Sequence, residues 1–456
     1  MGWHSHWRVF GTLYLGALLV RLLWAWPVLL HPERAWDPDS YGYHRLALNL
    51  LHEHRFSMDY PCPEQPEFFR TPGYPLFLAL LYGVLGTGTR RVVGVQVLLS
   101  ALVPVLAYGL FRRRLDEPRA RAGAWVLALM PEAALFASLL LSDTLYQVLG
   151  VGALALLLAS RASPVRVAGA FAVLAAATYV RPAGVILVPV FAGWLLGTAP
   201  VPWRRRFILA GLGLLVYGLA LAPWLLRNHR LSGRWLLSTA GEMNLVFSDT
   251  PFYLAHQQGR PPDAAAQAEH WTWLKQQTGW PGEDFQVLVN DPLRLKTAVR
   301  LSLQRLGVGG LAGLLRYRLV SGLVLLFHPG FRHYARVVLG NTPESGTWAW
   351  MQAAGGRLAR FWHTVQRKFR NTGPGFVVLM MGVYLMELAA FLLAVVGAWG
   401  LLRTGRARWL WLALGTYLLL ILAAGVNMNP RFRANYLYLL VPLWGEGWHR
   451  LRQRRI

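Results

Sequence analysis

The sequence predicts an all-α polytopic membrane protein, on the evidence of its composition and of its apolar segments. Of its 456 residues, 55% are hydrophobic and only 15% are charged, which is too apolar for an ordinary soluble domain. Apolar stretches of spanning length recur from one end of the chain to the other. We therefore expect about ten transmembrane helices, interfacial helices in the first outer loop and a subdomain on the outer side.

The first apolar run follows a short polar lead and has no small-residue cleavage site after it. We interpret it as a retained signal anchor rather than a cleaved signal peptide. A helix needs about 20 apolar residues to cross the hydrocarbon core, and several of the later runs are shorter than that. In chain order, the expected spans are residues 9–30, 92–111, 124–141, 144–158, 167–180, 184–196, 207–226, 376–402, 410–424 and 436–448.

Basic clusters set the expected orientation. They are residues 112–114, Arg161 with Arg166, residues 204–206, residues 403–408 and residues 450–455. If the short apolar stretch 73–85 lies flat on the membrane surface, all of these clusters fall on one side, which the positive-inside rule makes the cytoplasm. If it crosses, they all move to the other side. We therefore expect a surface helix at 73–85.

The same topology divides the chain into three expected parts. An N-terminal membrane module, 1–226, contains the first outer loop, 31–91; a long non-cytoplasmic region, 227–375, follows it, and residues 376–456 form the C-terminal spans. The short turn 427–435 is also expected outside. We expect a multi-pass protein of the inner (plasma) membrane with both termini in the cytoplasm and its active site on the opposite side.

The positive charge is almost entirely guanidinium. The chain has 46 Lys and Arg against 21 Asp and Glu, and Lys275, Lys296 and Lys368 are its lysines. In a soluble protein such an excess would suggest nucleic acid, but here the basic residues punctuate apolar runs. Membrane lipids and a phosphorylated lipid substrate are the partners we expect, and not nucleic acid. Cys62 is the only cysteine, so an intrachain disulfide is excluded.

A candidate general base stands in the first outer loop. Asp39, Tyr43 and Ala47 recur every four residues, so they share one face of a helix that begins near Asp39. The alternative is that Asp39 or Ser40 is only the N-cap of that helix. The two roles are compatible, because a carboxylate at a helix N-terminus stays ionised at neutral pH, as a general base must.

A second segment of the same loop runs from Phe69 to Ala79 and contains Arg70, a Pro-Gly turn and Tyr74. One interpretation is a turn that starts an interfacial helix, with Arg70 and the aromatic residues anchoring it to lipid headgroups. The other makes Arg70 a phosphate clamp. Tyr43 and Tyr74 would then line the substrate cavity.

These segments resemble a known family. Asp39 is followed by Tyr at four, Ala at eight and Asn at ten residues, and Arg-x-Pro-Gly-Tyr-Pro-Leu-Phe-Leu-Ala comes next. Further matching pieces follow in family order at residues 141–145 (LSDTL), 179–184 (YVRPAG), 223–228 (PWLLRN) and 430–433 (PRFR). The ordered set resembles the GT-C membrane glycosyltransferases of the protein O-mannosyltransferase and aminoarabinose transferase superfamily, the glycosyltransferase family 39 type.

The resemblance implies a fold of the GT-C type and an inverting transfer from a polyprenyl-phosphate sugar donor, of the undecaprenyl kind. It implies a catalytic Asp at Asp39, a supporting acid at Asp143 and a phosphate contact at Arg70. Many members have Asp-Glu where this chain has Asp39-Ser40, so any role of that Glu with a metal or an acceptor is in doubt here. A divalent metal is left open, with no metal ligands assigned.

Further candidates come from the expected topology. Arg181, Arg227, Arg431 and Arg433 all fall at outer ends of spans, where each is either a snorkelling anchor or part of a phosphate site. Asp143 is either a helix cap or a member of the active site. Two residues of the long outer region, Glu242 and Asn244, are expected to shape the sugar or acceptor site.

The sequence has no His or Cys metal-ligand spacing and no Gly-rich nucleotide loop, which disfavours a nucleotide-sugar donor. The expected acceptor is a lipid, a glycan or a protein. Two alternatives stay open: a lipid-linked glycan polymerase or ligase, and a transporter or flippase of lipid-linked sugars. A transporter should show internal repeats and helices broken at the midplane, and the sequence shows no such repeat.

Overall fold

The computed structural model describes residues 3–58, 65–159, 162–280, 288–325, 330–340, 372–424 and 429–453. In these ranges all of the longer secondary-structure elements are helices. Ser57 and Pro66 form an isolated antiparallel β-bridge. The α-helices are α1 (Trp3–Leu30), α2 (Pro38–His52), α3 (Gly73–Leu85), α4 (Thr89–Phe111), α5 (Glu117–Leu129), α6 (Pro131–Ala137), α7 (Asp143–Ala159), α8 (Pro164–Val180), α9 (Leu187–Thr198), α10 (Trp203–Ser232), α11 (Ala240–Asn244), α12 (Thr250–Gln257), α13 (Ala264–Thr278), α14 (Pro292–Leu325, kinked at Gly307), α15 (Phe331–Leu339), α16 (Pro374–Arg403), α17 (Arg408–Ala424), α18 (Arg431–Ala434) and α19 (Val441–Gln453). Short 3-10 helices lie at Pro32–Ala35, Pro182–Ile186 and Leu437–Leu440, and a π-helical turn lies at Leu245–Asp249.

Four of the described helices are long and apolar enough to cross a membrane: α1, α4, α10 and α16. The bent pair α5 and α6 makes a fifth if it counts as one span. Shorter apolar helices are α3, α7, α8, α9 with the 3-10 turn before it, and α17. The all-α membrane class is therefore confirmed, while the count of ten spans and their orientation remain predictions.

Most expected spans coincide with helices to within a few residues, but two differ. The expected span 124–141 is broken at Met130, where α5 and α6 meet at 52°, because Pro131 cannot donate the hydrogen bond that would continue the helix. The expected span 436–448 is a 3-10 turn followed by α19, which has Glu446 and Arg450 on it and packs against α5 and α16.

Arg21 stabilises the break between α5 and α6. It is fully buried in α1, and its Nη1 donates to the carbonyl oxygen of Ala128 at 2.5 Å while its Nε donates to Ser100 Oγ at 3.1 Å. Carbonyls freed at a helix break need such donors where water is excluded. These contacts are those of a structural residue.

The packing of the bundle brings distant segments to one end. α1 packs on α4, α4 on α7, and α7 on α8, and the short α18 contacts α6. The helix α18 therefore returns the C-terminal part of the chain to the first loop and to the start of α7. A smaller core in the long region, which includes Met243, Leu274 and Leu295, packs against Phe69.

Candidate active site

The site begins at the first turn of α2. Asp37 is the N-cap, Pro38 is the first helical residue, and the backbone N–H of Asp37 donates to Ser40 Oγ at 2.9 Å. The expected helix start near Asp39 is right to within one residue, but the alternative that Asp39 or Ser40 is the N-cap is wrong. Asp39 is therefore free to use its side chain elsewhere, and 38% of that side chain is exposed.

Arg431 connects Asp39 to Asp143. Its Nη1 donates to Asp39 Oδ2 at 2.6 Å, and its Nε donates to Asp143 Oδ2 at 2.6 Å. The Arg431 side chain is only 6% exposed, so both bonds are charge-assisted and largely shielded from water. One guanidinium thus holds two carboxylates from different parts of the chain.

Asp143 is the buried anchor of this group. Its side chain is fully buried, and its Oδ1 accepts from Arg181 Nη1 and, at 2.8 Å, from Asn435 Nδ2. Both carboxylate oxygens therefore have partners, as a buried charge requires. With no exposed surface, Asp143 can orient Arg431 and Arg181 but cannot itself reach a substrate.

Arg70 lies on the open side of Asp39. Its Nη2 is 3.7 Å from Asp39 Oδ1 and its Nη1 is 3.9 Å from Glu67 Oε1. At these distances the groups form ion pairs but not hydrogen bonds. The Arg70 Nε is buried and has no hydrogen-bond partner among the described residues. The guanidinium also lies over the rings of Tyr43 and Phe69, at 5.5 and 5.1 Å from their centroids.

Gly42 makes room for that guanidinium. A Cβ atom at Gly42 would lie 2.3 Å from Arg70 Cζ, which is far inside van der Waals contact. The absence of a side chain one turn after Asp39 therefore lets Arg70 lie flat along α2. The backbone of Arg70 is held by the side chain of Glu67, because the Arg70 N–H donates to Glu67 Oε1 at 2.7 Å.

The electrostatics keep Asp39 ionised. Burial on its own would raise the pKa of Asp39, but the charges of Arg431 and Arg70 outweigh it and lower the pKa below its usual range. Burial on its own would lower the pKa of Arg431, but Asp143 and Asp39 raise it well above its usual value. Asp39 and Arg431 therefore both favour their charged forms at neutral pH.

The two tyrosines expected in the cavity lie one behind the other. The Tyr43 hydroxyl is 3.4 Å from Ser142 Oγ, and its ring meets the ring of Tyr74 edge-on with centroids 4.9 Å apart. Tyr74 is fully buried and donates to Gln96 Oε1 at 2.6 Å. Tyr43 therefore adjoins the site, while Tyr74 supports it from behind and does not fit the expected role of a cavity-lining residue.

Arg433 and Arg227 lie apart from this cluster. Arg433 pairs with two buried carboxylates, at 2.8 Å from Glu132 and 3.0 Å from Glu387. Arg227 donates to the backbone carbonyl of Glu67 at 2.8 Å and stacks on the ring of Trp224 at 4.7 Å. Their contacts are those of structural residues, so the expected phosphate role is not supported for either of them.

Glu242 and Asn244 also lie outside the cluster. Glu242 accepts from both Nη atoms of Arg234, at 3.1 and 2.5 Å, within the long region. Asn244 is the last residue of the short helix α11. In the described part of the chain, neither makes a hydrogen bond or ion pair with the cluster around Asp39, and their substrate role remains a prediction.

Sequence reasoning missed several members of the site. Asp37 pairs with Arg336, and Asn435 supports Asp143, yet none of the three stands in one of the matching sequence pieces. The nearness of Asp37 to Asp39 in the sequence could have indicated that Asp37 also belongs to the site. Arg336 has no local signal, because its position depends on how α15 packs.

Among the described residues, no group of three His, Cys, Asp or Glu side chains is arranged to hold a metal ion.

Comparison with solved structures identifies the fold. The apo structure of the oligosaccharyltransferase from Archaeoglobus fulgidus aligns with 100% of this chain and 52% of its own, with a TM-score of 0.52 and 14% identity. The chain thus spans about half the length of that protein. The expected GT-C fold is confirmed at this level.

Two further likenesses are weaker. The oligosaccharyltransferase AglB, also from Archaeoglobus fulgidus, in complex with an inhibitory peptide and a dolichol-phosphate gives a TM-score of 0.49 at 14% identity, over 100% of this chain and 52% of that one. ArnT from Cupriavidus metallidurans bound to undecaprenyl phosphate gives 0.41 at 17% identity, over 98% of this chain and 79% of that one. No family model and no curated protein matches the sequence.

Proposed function

We propose that this chain, which has the GT-C fold, is an inverting glycosyltransferase that moves a sugar from a polyprenyl-phosphate donor to an acceptor outside the cytoplasm. The observation that carries the proposal is the pairing of one partly exposed carboxylate, Asp39, with two guanidinium groups, Arg70 and Arg431. A base beside a phosphate-binding pair is what transfer from a sugar phosphate requires. The donor class itself rests on the sequence resemblance.

Asp39 has one oxygen available for the base role. Its Oδ2 accepts from Arg431, whereas its Oδ1 has only the 3.7 Å ion pair with Arg70. Oδ1 can therefore accept the proton of an acceptor hydroxyl or amine. Because the pKa of Asp39 is lowered, the carboxylate is ionised before the acceptor arrives.

Arg70 has unused hydrogen-bonding capacity. A guanidinium presents five N–H donors in a fork that suits phosphate oxygens, and those of Arg70 make no hydrogen bond in the described part of the chain. A donor phosphate between Arg70 and Arg431 would fill this capacity. Asp143 then acts as a positioning residue, because it fixes Arg431 and Arg181 from the buried side.

The transfer balances as a single displacement. The acceptor oxygen or nitrogen forms a bond to the anomeric carbon as its proton passes to Asp39 Oδ1. The bond between that carbon and the phosphate oxygen breaks, and its electron pair stays on the polyprenyl phosphate. Arg70 and Arg431 stabilise the charge that develops there.

Donor binding would also tune the base. Arg431 and Arg70 lower the pKa of Asp39, and a bound phosphate would share those charges. The pKa of Asp39 would then rise toward its ordinary value, which makes the carboxylate a stronger proton acceptor once the donor is in place. The base would thus strengthen only when the donor has bound.

The test compares envelope glycans of a deletion strain with those of the strain restored with the wild-type gene or with Asp39→Asn. We expect mass spectrometry to find one glycan lacking a sugar in the deletion strain, restored by the wild type and not by Asp39→Asn. Restoration by Asp39→Asn would overturn the proposal. The missing mass identifies the sugar, and the molecule that lacks it identifies the acceptor.

A second arm measures donor binding directly. Purified full-length protein should bind undecaprenyl phosphate, and Arg70→Gln and Arg431→Gln should each weaken that binding at least about tenfold, the effect of losing a charge-assisted bond. Arg45→Gln is the matched control, because Arg45 is an exposed residue of the same helix as Asp39. Equal binding by all of the variants would contradict the phosphate site.

A further inference from the structure

Helix α15 is wedged between the first loop and the turn before α18. Its buried residues Tyr334, Ala335 and Val337 pack in one apolar cluster with Phe136 of α6 and Val28 of α1. Two side chains of the same helix, His333 and Arg336, are directed instead at polar groups near the active site. α15 thus has an apolar face that fixes it and a basic edge that reaches the site.

The first contact of that edge is with Asp37. Arg336 Nη1 donates to Asp37 Oδ2, and both side chains are 11% exposed. His333 Nδ1 lies 3.6 Å from the same oxygen. Asp37 is the N-cap of α2 and stands two residues before Asp39, so α15 holds the start of the helix that presents the base.

The second contact is with the turn that presents Arg431. His333 Nε2 lies 3.3 Å from Asn429 Oδ1, and the backbone N–H of Arg431 donates to that same oxygen at 3.1 Å. His333 therefore touches both sides of the site. It faces Asp37 on the side of the base and Asn429 on the side of the phosphate-binding residue.

The loop holds α15 in return. Arg34 Nη1 donates to the carbonyl oxygen of Val338 at 2.8 Å and lies 3.4 Å from that of Val337. These are carbonyls of the last turn of α15, which have no partner within the helix and which favour a cation. Gly340 ends the helix with φ of 78°. Arg336 of α15 therefore binds a residue of the first loop, and Arg34 of the first loop binds the end of α15.

We propose that α15 is a clamp that sets the distance between Asp39 and Arg431, with Arg336 and His333 as positioning residues. Asp39 and Arg431 are 392 residues apart in sequence and stand on different helices, α2 and α18. α15 supplies a common support for both. This inference rests on the proposed function, since it gives a role to a pair that the proposed reaction uses.

The clamp should affect the rate of transfer and not the affinity for the donor. Loosening α15 should let the first turn of α2 move relative to Arg431, so that base and donor are less often aligned. Donor binding depends on Arg70 and Arg431, which stay intact. We therefore expect kcat to fall while the KM for the donor stays nearly constant.

The experiment uses full-length protein in detergent with Arg336→Gln, and Arg332→Gln as the matched control. Arg332 is an exposed residue of the same helix. We expect Arg336→Gln to speed hydrogen exchange of the amides of residues 37–42 at least tenfold. With the polyprenyl-phosphate form of the sugar identified by the glycan comparison as donor, we expect kcat to fall at least tenfold and the donor KM to change less than threefold. Arg336→Lys should recover part of both effects.

Arg34→Gln provides a milder variant if Arg336→Gln does not fold, since it weakens the clamp and leaves the Asp37 ion pair intact. The clamp would be overturned if Arg336→Gln and Arg34→Gln showed the same hydrogen exchange and kcat as Arg332→Gln. A donor KM that rises in step with the loss of kcat would overturn it too. If the chain transfers no sugar, the proposed function fails. The exchange of residues 37–42 then still decides whether α15 orders the start of α2.

Discussion

Arg431 Nη1 lies 2.6 Å from Asp39 Oδ2, so the candidate base and a candidate phosphate ligand are hydrogen-bonded to each other. In the proposed reaction, an incoming phosphate would have to share Arg431 with this carboxylate. Asp39 would therefore oppose donor binding and also serve the transfer step. This competition separates the effects of variants at the two residues.

Asp39→Asn should abolish transfer but preserve or improve binding of the lipid phosphate. Loss of a general base costs about 10²–10⁴-fold in rate, whereas loss of the negative charge frees Arg431 and Arg70 for the phosphate. Single-turnover transfer and equilibrium binding of undecaprenyl phosphate measure the two effects. A parallel loss of binding and transfer would show that Asp39 contributes to the donor site instead of to the chemistry.

Gly42→Ala should damage the site although it favours the helix. Alanine stabilises a helix interior by about 0.5–1 kcal/mol relative to glycine, but a Cβ here would lie 2.3 Å from Arg70 Cζ. We expect undecaprenyl phosphate binding to weaken about tenfold with no loss of thermal stability, because Arg70 must leave its place along α2. Gly94→Ala in α4 is the control, since a Cβ there meets nothing within 4 Å.

Local sequence patterns predicted the members of the site that lie in short motifs. Asp39, Arg70, Asp143, Arg181 and Arg431 were all identified from such pieces, and the fold brings them together. Their individual roles stay predictions.

Other residues depended on packing that no local pattern contains. Arg431 and Arg433 were indistinguishable in the sequence, yet residues two apart on a helix point to different sides, so Arg433 meets Glu132 and Glu387. Arg336 was missed because only the packing of α15 brings it to Asp37. The sequence therefore predicts which segments contribute to the site better than it predicts which side of a segment faces it.

Arg433→Gln should act on stability before it acts on catalysis. It leaves Glu132 and Glu387, whose side chains are 0% and 8% exposed, without their shared cation. Removing one partner of a buried ion pair costs about 3–5 kcal/mol, so we expect a large fall in the thermal unfolding temperature in detergent. Adding Glu132→Gln and Glu387→Gln should recover most of that loss. A stable Arg433→Gln protein with weakened donor binding would instead restore the phosphate role expected from the sequence.

The ion pair between Asp37 and Arg336 contributes to the stability of the protein, and we expect that contribution to change with pH only under acidic conditions. Burial alone would raise the pKa of Asp37, but the polar contact with His333, 3.6 Å away, and the charges of Arg431 and Arg336 lower it below the usual range. A carboxyl with a lowered pKa in the folded state stabilises the fold fully above its unfolded pKa of about 3.9. That contribution is lost as the pH falls from there through the folded pKa.

Asp37→Asn isolates this charge, because Asn is also a good N-cap. We expect it to lower the unfolding temperature by the same amount at pH 7 and pH 5, since the carboxylate is ionised in both states at both values. Below about pH 3.9 the wild type loses its advantage and the two proteins should converge. Glu53→Gln, which changes an exposed carboxylate just after α2, should follow the wild type throughout. A difference between wild type and Asp37→Asn that already shrinks between pH 7 and pH 5 would contradict this prediction.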